Sequence, residues 1–151
     1  MRQVNPEVYQ FTRYMTQERW SSVWYQLHEL TELQPHSVLE IGPGPGVLRA
    51  LGQMAGLQIE TLDFDPDLKP DHVANATNLP FADDAFSVVC AFQMLEHVPY
   101  DTALKCFSEF ARVAQKAIVI SLPDARAFWR LHVQLPLIGS SGQNLTLDAR
   151  V

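Results

Sequence analysis

Residues 38–46 read VLEIGPGPG. A short apolar run that carries one carboxylate, Glu40, leads straight into three glycines, Gly42, Gly44 and Gly46, alternating with prolines. An apolar run of this length bounded by turn residues predicts a buried strand. Glycine permits tight turning and close backbone approach by a ligand. The next segment, GVLRALGQMA, predicts a helix whose first backbone N–H groups face an anionic group. Strand, turn and helix together open a doubly wound sheet, in which ligands bind beyond the carboxyl ends of the strands where strand order reverses.

The rest of the chain supports that frame. From about Pro6 to Leu33, apolar residues recur near helical spacing at Val8, Phe11 and Met15, then at Trp20, Val23, Trp24 and Leu27. Thr16 is placed to cap a second helical start. QIETLDF predicts a second strand ending at Asp63, DHVAN a weak third, and AFSVVCAF a strong fourth. YDTALKCFSEFARVA predicts an amphipathic helix with Ala103, Leu104, Phe107, Phe110, Ala111 and Val113 on one face. KAIVIS is a fifth strand stopped by Pro123, and DARAFWRLHVQL predicts a last helix capped by Asp124. GSSGQNLTLDARV is a loop, an edge segment or a frayed tail. Alternating strands and helices predict an α/β fold: a doubly wound, mostly parallel Rossmann-like sheet with an N-terminal helix. The expected organisation is one domain: a helical cap over 1–34, a ligand-binding core over 35–135 and a polar tail over 136–151.

The 151 residues are 47% hydrophobic and 19% charged, an ordinary globular composition with enough chain for its own core. A formal net charge of −6 argues against nucleic acid as a main partner, because phosphate binding needs clustered Lys and Arg. The two cysteines, Cys90 and Cys106, read as small buried apolar residues in a reducing compartment, and no metal-ligand spacing is present. No leader pattern and no membrane-length apolar run is found, so the expected location is cytoplasmic.

Which ligand suits the turn? The dinucleotide fingerprint G-x-G-x-x-G is met by Gly42 and Gly44, but its third glycine position is Val47 and Gly46 comes one residue early. Glu40, two residues before Gly42, would gain nothing from a pyrophosphate. A ligand with an ammonium beside a carboxylate uses both Glu40 and the N–H groups. A carboxylate about 20 residues beyond the turn, Asp63, is placed for a ribose diol.

With these residues in place, LEIGPGPG resembles motif I of the class I S-adenosylmethionine-dependent methyltransferases, of the type 11 kind. TLDFDP is similar to the end of that family's second strand, NATNLPFADDAFSVV to its D-A-x-x-L-P-F stretch, AFQMLEHVP to its strand-four end, and RVAQKAIVISLPD to its fifth strand. The resemblance covers about Ser37 to Asp124. It implies S-adenosylmethionine as cofactor and methyl transfer to a small-molecule acceptor. It also implies a cofactor set of Glu40, Gly42, Gly44, Gly46, Asp63, Phe64, Asn75, Ala76 and Gln93. The family's usual Asp is Asn75 here, which would accept the adenine amino hydrogen through its carbonyl. Ser87 stands in place of another common Asp. The family's sheet has seven strands, the last two an antiparallel pair, and only about 30 residues follow Ser121. The last two strands are therefore expected to be missing or reduced, leaving KAIVIS as an apolar edge. The tail or a second copy is expected to cover that edge, and a homodimer is expected through it or through the N-terminal helix.

Methyl transfer is an in-line displacement that needs alignment more than a catalytic side chain. His97 is the weak candidate for a general base, weighed against a structural hydrogen bond. Glu96 and His132 rank below it. The N-terminal aromatics, from Tyr9 to Tyr25, read first as core packing, then as a lid, then as a dimer face. The alternatives are a non-catalytic cofactor-binding protein or methyltransferase subunit, a NAD-dependent oxidoreductase, and another transferase on the same fold.

Overall fold

A computed structural model describes residues 14–123 together with the backbone of 128–135 and 143–150. The first helix, α1, spans Gln17–Glu32. Its N-cap is Thr16, whose side chain accepts from the Arg19 N–H at 3.3 Å. Strand β1 (Val38–Ile41) follows, then α2 (Val47–Met54), β2 (Ile59–Asp63), the two-residue β3 (His72–Val73), β4 (Phe86–Phe92), α3 (Tyr100–Val113) and β5 (Ala114–Ser121). Two further strands, β6 (Phe128–Leu135) and β7 (Gln143–Arg150), complete the described elements.

The main sheet has the order β3-β2-β1-β4-β5, and every pairing in it is parallel. The chain builds outward from β1 to β3 and then returns to lay β4 on the other side of β1. Strand order thus reverses between β1 and β4. Parallel sheets are covered on both faces, so central strands read as unbroken apolar runs. All four residues of β1 are buried, as are the first six of β4.

Alternation along the strands divides the core in two. Leu39, Ile41, Leu62, Val89 and Ala91 pack with Cys106, Phe110 and Val113 of α3. Val38, Ile59, Val88 and Cys90 pack with Val23 and Leu30 of α1 and Leu48 of α2. Both cysteines are buried and unpaired, as expected of small apolar residues.

Three readings need correction. The buried face of α3 is Cys106, Phe110 and Val113, whereas Leu104 and Phe107 are exposed. The helix carries two apolar stripes roughly 130° apart at 100° per residue, and the sheet takes the other one. The N-terminal aromatics Trp20, Trp24 and Tyr25 are exposed and do not pack in the core; Tyr9 and Phe11 lie outside the described residues. The helix expected over 124–135 is strand β6, paired antiparallel with β7. Its sequence alternates apolar Trp129, Leu131, Val133 and Leu135 with polar Arg130, His132 and Gln134. The register sets Leu131 opposite Leu147 and Arg130 opposite Asp148. This pair forms a sheet of its own, and the parallel sheet stops at five strands with β5 at its edge.

Phe110 has no exposed surface and Leu104 is 51% exposed on the same helix. Phe110→Ala is expected to lower unfolding free energy by about 3–5 kcal/mol and Leu104→Ala by no more than about 0.5 kcal/mol, measured as urea midpoints. Equal losses would show that α3 packs by its other stripe.

Candidate functional site

The central strand carries a buried acid. Glu40 is 4% exposed, lies in register between Thr61 of β2 and Cys90 of β4, and its Oε2 has no hydrogen-bond partner among the described residues. It shares the sheet face of Val38, beneath α1 and α2. There it meets a small cavity of about 40 Å³ bounded also by Tyr14, Arg19, Gly42 and Gln93. Burial pushes its carboxyl up to about 8, while Arg49 pulls the other way. Arg49 is itself paired to Asp71 at 2.9 Å. A buried carboxyl without donors is favoured in its neutral form; an incoming cation that brings N–H donors would reverse that preference.

Beyond Ile41 the backbone turns through Gly42, Gly44 and Gly46, at φ of 70°, 53° and 74°. Only glycine adopts that region without strain. At Gly42 there is a second constraint, since a Cβ there would stand 2.9 Å from Met94 Cγ. Gly46 is the N-cap of α2 and no side chain caps that helix.

Asp63 closes β2, is 8% exposed, and accepts the Asp65 N–H through Oδ1 at 2.9 Å. Burial raises its carboxyl and that bond offsets part of the rise. Asp65 in turn caps the short 3-10 turn over Pro66–Leu68. Phe64, next in sequence, is 46% exposed.

Asn75 and Ala76 follow β3. The Asn75 side-chain oxygen already accepts from the Thr77 N–H and the Thr77 hydroxyl, both at 2.9 Å. The loop is clamped from α3. The Leu79 N–H donates to Glu109 Oε2 at 2.8 Å, and Arg112 donates to the carbonyls of Phe81 and Leu79 at 2.8 and 3.1 Å. Arg112 also donates to Asp83 and Glu109, and its hydrogen bond to Glu109 is the main cause holding that carboxyl down at about 2. At the end of β4, Gln93 sits at φ 51° with its N–H donating to the Ser121 carbonyl at 2.9 Å.

Gly42, Gly44, Asp63, Phe64, Asn75, Ala76, Gln93 and His97 line one cavity of about 750 Å³, inside the ~300–1,000 Å³ range of small-molecule sites. It sits over the carboxyl ends of β1, β2 and β4, at the reversal of strand order. Glu40 belongs to the small cavity instead, which shares Tyr14, Arg19, Gly42, Phe92 and Gln93 with the large one. Gly46 lines neither. His97 is exposed at the rim, and no side-chain hydrogen bond to a described residue holds it. Glu96 is exposed and does not line the cavity. His132 lies in β6, where only backbone is described.

Arg19 and Met94 were not expected at the site, and Tyr14, one of the N-terminal aromatics read first as core packing and then as a lid, borders both cavities. Arg19 Cζ lies 4.1 Å from the Tyr14 ring centroid, and Arg19 Nη1 donates to the Tyr14 hydroxyl at 3.0 Å. Among the described residues, Arg19 is the one arginine or lysine that lines either cavity. No sequence signal ties these residues to a glycine turn more than 20 positions away. The residues present suit a ligand with a cationic and an anionic group at one end and a polar ring system at the other. The Oε2 of Glu40, orphaned among the described residues, is the feature that favours this fit.

A family profile described as a methyltransferase domain matches residues 39–120, more than half of the chain. No functionally curated protein matches the sequence at a significant level. Among solved structures, the PH0226 protein from Pyrococcus horikoshii OT3 superposes with a TM-score of 0.61 at 19% identity, over 73% of this chain and 57% of that one. A proposed sarcosine dimethylglycine methyltransferase from Galdieria sulphuraria superposes with a TM-score of 0.55 at 19% identity, over 72% of this chain and 46% of that one. The chain thus spans about half the length of these structures, and the likeness is one of fold.

Glu40 carries a stability signature. A carboxyl raised from 4.5 to about 8 gives a contribution fully present below the unfolded value and lost as pH rises through the folded one. Glu40→Gln cannot ionise. It is expected to match the wild type near pH 4 and to exceed it at pH 8 by on the order of 3 kcal/mol, read from urea midpoints at the two pH values. A constant difference across that window would place Glu40 outside a dry environment.

Proposed function

The chain belongs to the methyltransferase-domain family, and from that premise we propose that it binds S-adenosylmethionine and transfers its methyl group to a small-molecule acceptor. One observation carries the reading: a buried acid with an unpartnered oxygen, a left-handed glycine turn and a second buried acid meet at the reversal of strand order. When bound, the cofactor supplies a methyl carbon activated by a sulfonium.

In this reading Glu40 holds the ammonium of the cofactor's amino-acid end and Arg19 its carboxylate. Gly42 and Gly44 let the backbone approach, and Gly46 frees the start of α2 from a competing cap. Asp63 accepts from the ribose hydroxyls. Phe64 offers its ring to the base, and Ala76 with the Asn75 turn offers the edge. Gln93 borders the region where the two cavities meet, and His97 stands at the rim where an acceptor would arrive. The protein's work is alignment and exclusion of water, and orientation alone lowers such barriers by up to ~7–11 kcal/mol.

A cofactor-binding protein or subunit without its own acceptor is the second reading. Incubation with methyl-labelled cofactor and a metabolite panel separates the two, since only the first reading gives a labelled product.

The binding claim is tested by heat. A native-state ligand at 100 times its dissociation constant stabilises by about 2.7 kcal/mol, or roughly 5–10 °C for a chain of this size. S-adenosylhomocysteine is expected to give that rise and NAD none. Asp63→Ala is expected to weaken binding about 10- to 100-fold, the worth of a hydrogen bond to a charged acceptor. Unchanged affinity in that variant would remove Asp63 from the ribose.

A further inference from the structure

We infer that uptake of the amino-acid end of the cofactor is coupled to release of one proton from Glu40, so that the pocket binds by exchanging a proton for an ammonium. The inference rests on the reading of the site given above. Its ground is geometric. Glu40 is buried in the middle strand of the sheet, and among the described residues one of its oxygens has no donor.

Among the described groups that face Glu40, Arg49 alone acts as a countercharge, and it is shared. From α2, Arg49 is held by the Asp71 carboxylate at 2.9 Å. From α1, Arg19 donates to the Tyr14 hydroxyl and borders the same small cavity without a described carboxylate in salt-bridge range. Tyr14 is a phenol whose own ionisation is pushed up by burial. From β4 the register neighbour is Cys90, a fully buried thiol raised well above its usual range, and from β2 it is Thr61. None of these stabilises an anion at Glu40 by contact. The carboxyl therefore carries its proton at neutral pH, in line with a value near 8.

An ammonium arriving in the small cavity changes the balance. It brings N–H donors and a positive charge, both of which favour the ionised carboxyl. Glu40 then gives its proton to solvent and the ammonium keeps all of its own. Charge and protons balance: a neutral acid and a cation become an ion pair and one hydrated proton.

Two consequences separate this from plain recognition. A ligand that lacks the amino-acid end binds without moving a proton. Affinity for the full ligand rises with pH, by up to about tenfold per unit between pH 6 and 7, the slope of a one-proton linkage.

The test is titration calorimetry of the full chain with S-adenosylhomocysteine at pH 6.5, where an α-amino group is still protonated. The observed heat is compared across buffers of different ionisation enthalpy. About one proton released per ligand bound is expected in the wild type and none in Glu40→Gln. 5′-Methylthioadenosine, which carries sugar and base but no amino-acid tail, is expected to bind with no proton released, and it serves if the variant does not fold. Binding of S-adenosylhomocysteine with no buffer dependence would overturn the inference and leave the cofactor assignment standing. Absence of any binding or thermal stabilisation by S-adenosylhomocysteine would overturn the assignment itself, and the inference with it.

Discussion

The middle of a parallel sheet is the worst place in a domain for a charge, and β1 holds an ionisable group there, Glu40. Four residues of that strand are buried on both faces, and the third of them is an acid. Replacing Glu40 with an apolar residue would complete the Val38 side of the core. Departures of this kind from consistent patterning mark functional sites. The rest of the site follows from where the strand ends. With all five strands parallel, β1, β2 and β4 finish at the same edge, and the return of the chain to β4 leaves a crevice there. Gly42 follows β1 at that edge, Asp63 ends β2 and Gln93 follows β4. One topological fact therefore gathers groups spread over more than 50 positions.

Local pattern made most of this legible. The strand-to-glycine run, the acid at the end of the second strand and the cap at Thr16 each act within a few residues, and each occupies the place its spacing implies. The misreadings came from signals that are ambiguous locally. On α3, apolar residues fall on two stripes, and helical spacing is satisfied by both. Only the position of the sheet decides that Cys106, Phe110 and Val113 turn inward. In Trp129 to Leu135 the apolar residues alternate strictly, a period of two that identifies a strand, but the segment follows a Pro-Asp that also suits a helix start. The partner that resolves it, Leu145 to Ala149, lies in a stretch whose Gly and Ser neighbours suggest a loop.

Other parts of the site were hidden because they are assembled across the sequence. Arg19 and Tyr14 border both cavities from the start of α1, more than 20 residues before the turn they face. Nothing in the local pattern separates Arg19 from an ordinary helix face, and Tyr14 stands among aromatics that read first as core packing. The clamp of Arg112 and Glu109 is similar. These are neighbours on α3, and a reading of the helix alone makes them a solvated i, i+3 pair worth a few tenths of a kcal/mol. In the fold they bind the backbone of Leu79 and Phe81 from the far side of the chain. Their value lies in fixing the loop that carries Asn75 and Ala76.

That loop bears on the one departure inside the ligand-facing set, an amide where the resembling family has an acid. The Asn75 side-chain oxygen is occupied by the amide and hydroxyl of Thr77, and the Asn75 carbonyl accepts the Asn78 N–H. Such a turn needs an oxygen acceptor and is indifferent to its charge, and an aspartate would close it the same way. The substitution therefore removes a negative charge from the cavity wall while keeping the backbone path from Ala74 to Leu79. A base lying against this wall would be read by main-chain groups and by the shape between Phe64 and the clamped loop, with Asn75 setting the turn more than supplying the contact. The acids left at the crevice then have separate tasks. In the proposed reading Glu40 meets a cation in the small cavity and Asp63 meets hydroxyls in the large one. The Asp65 carboxylate accepts the Asp67 N–H at 3.0 Å and shapes the turn that follows Phe64.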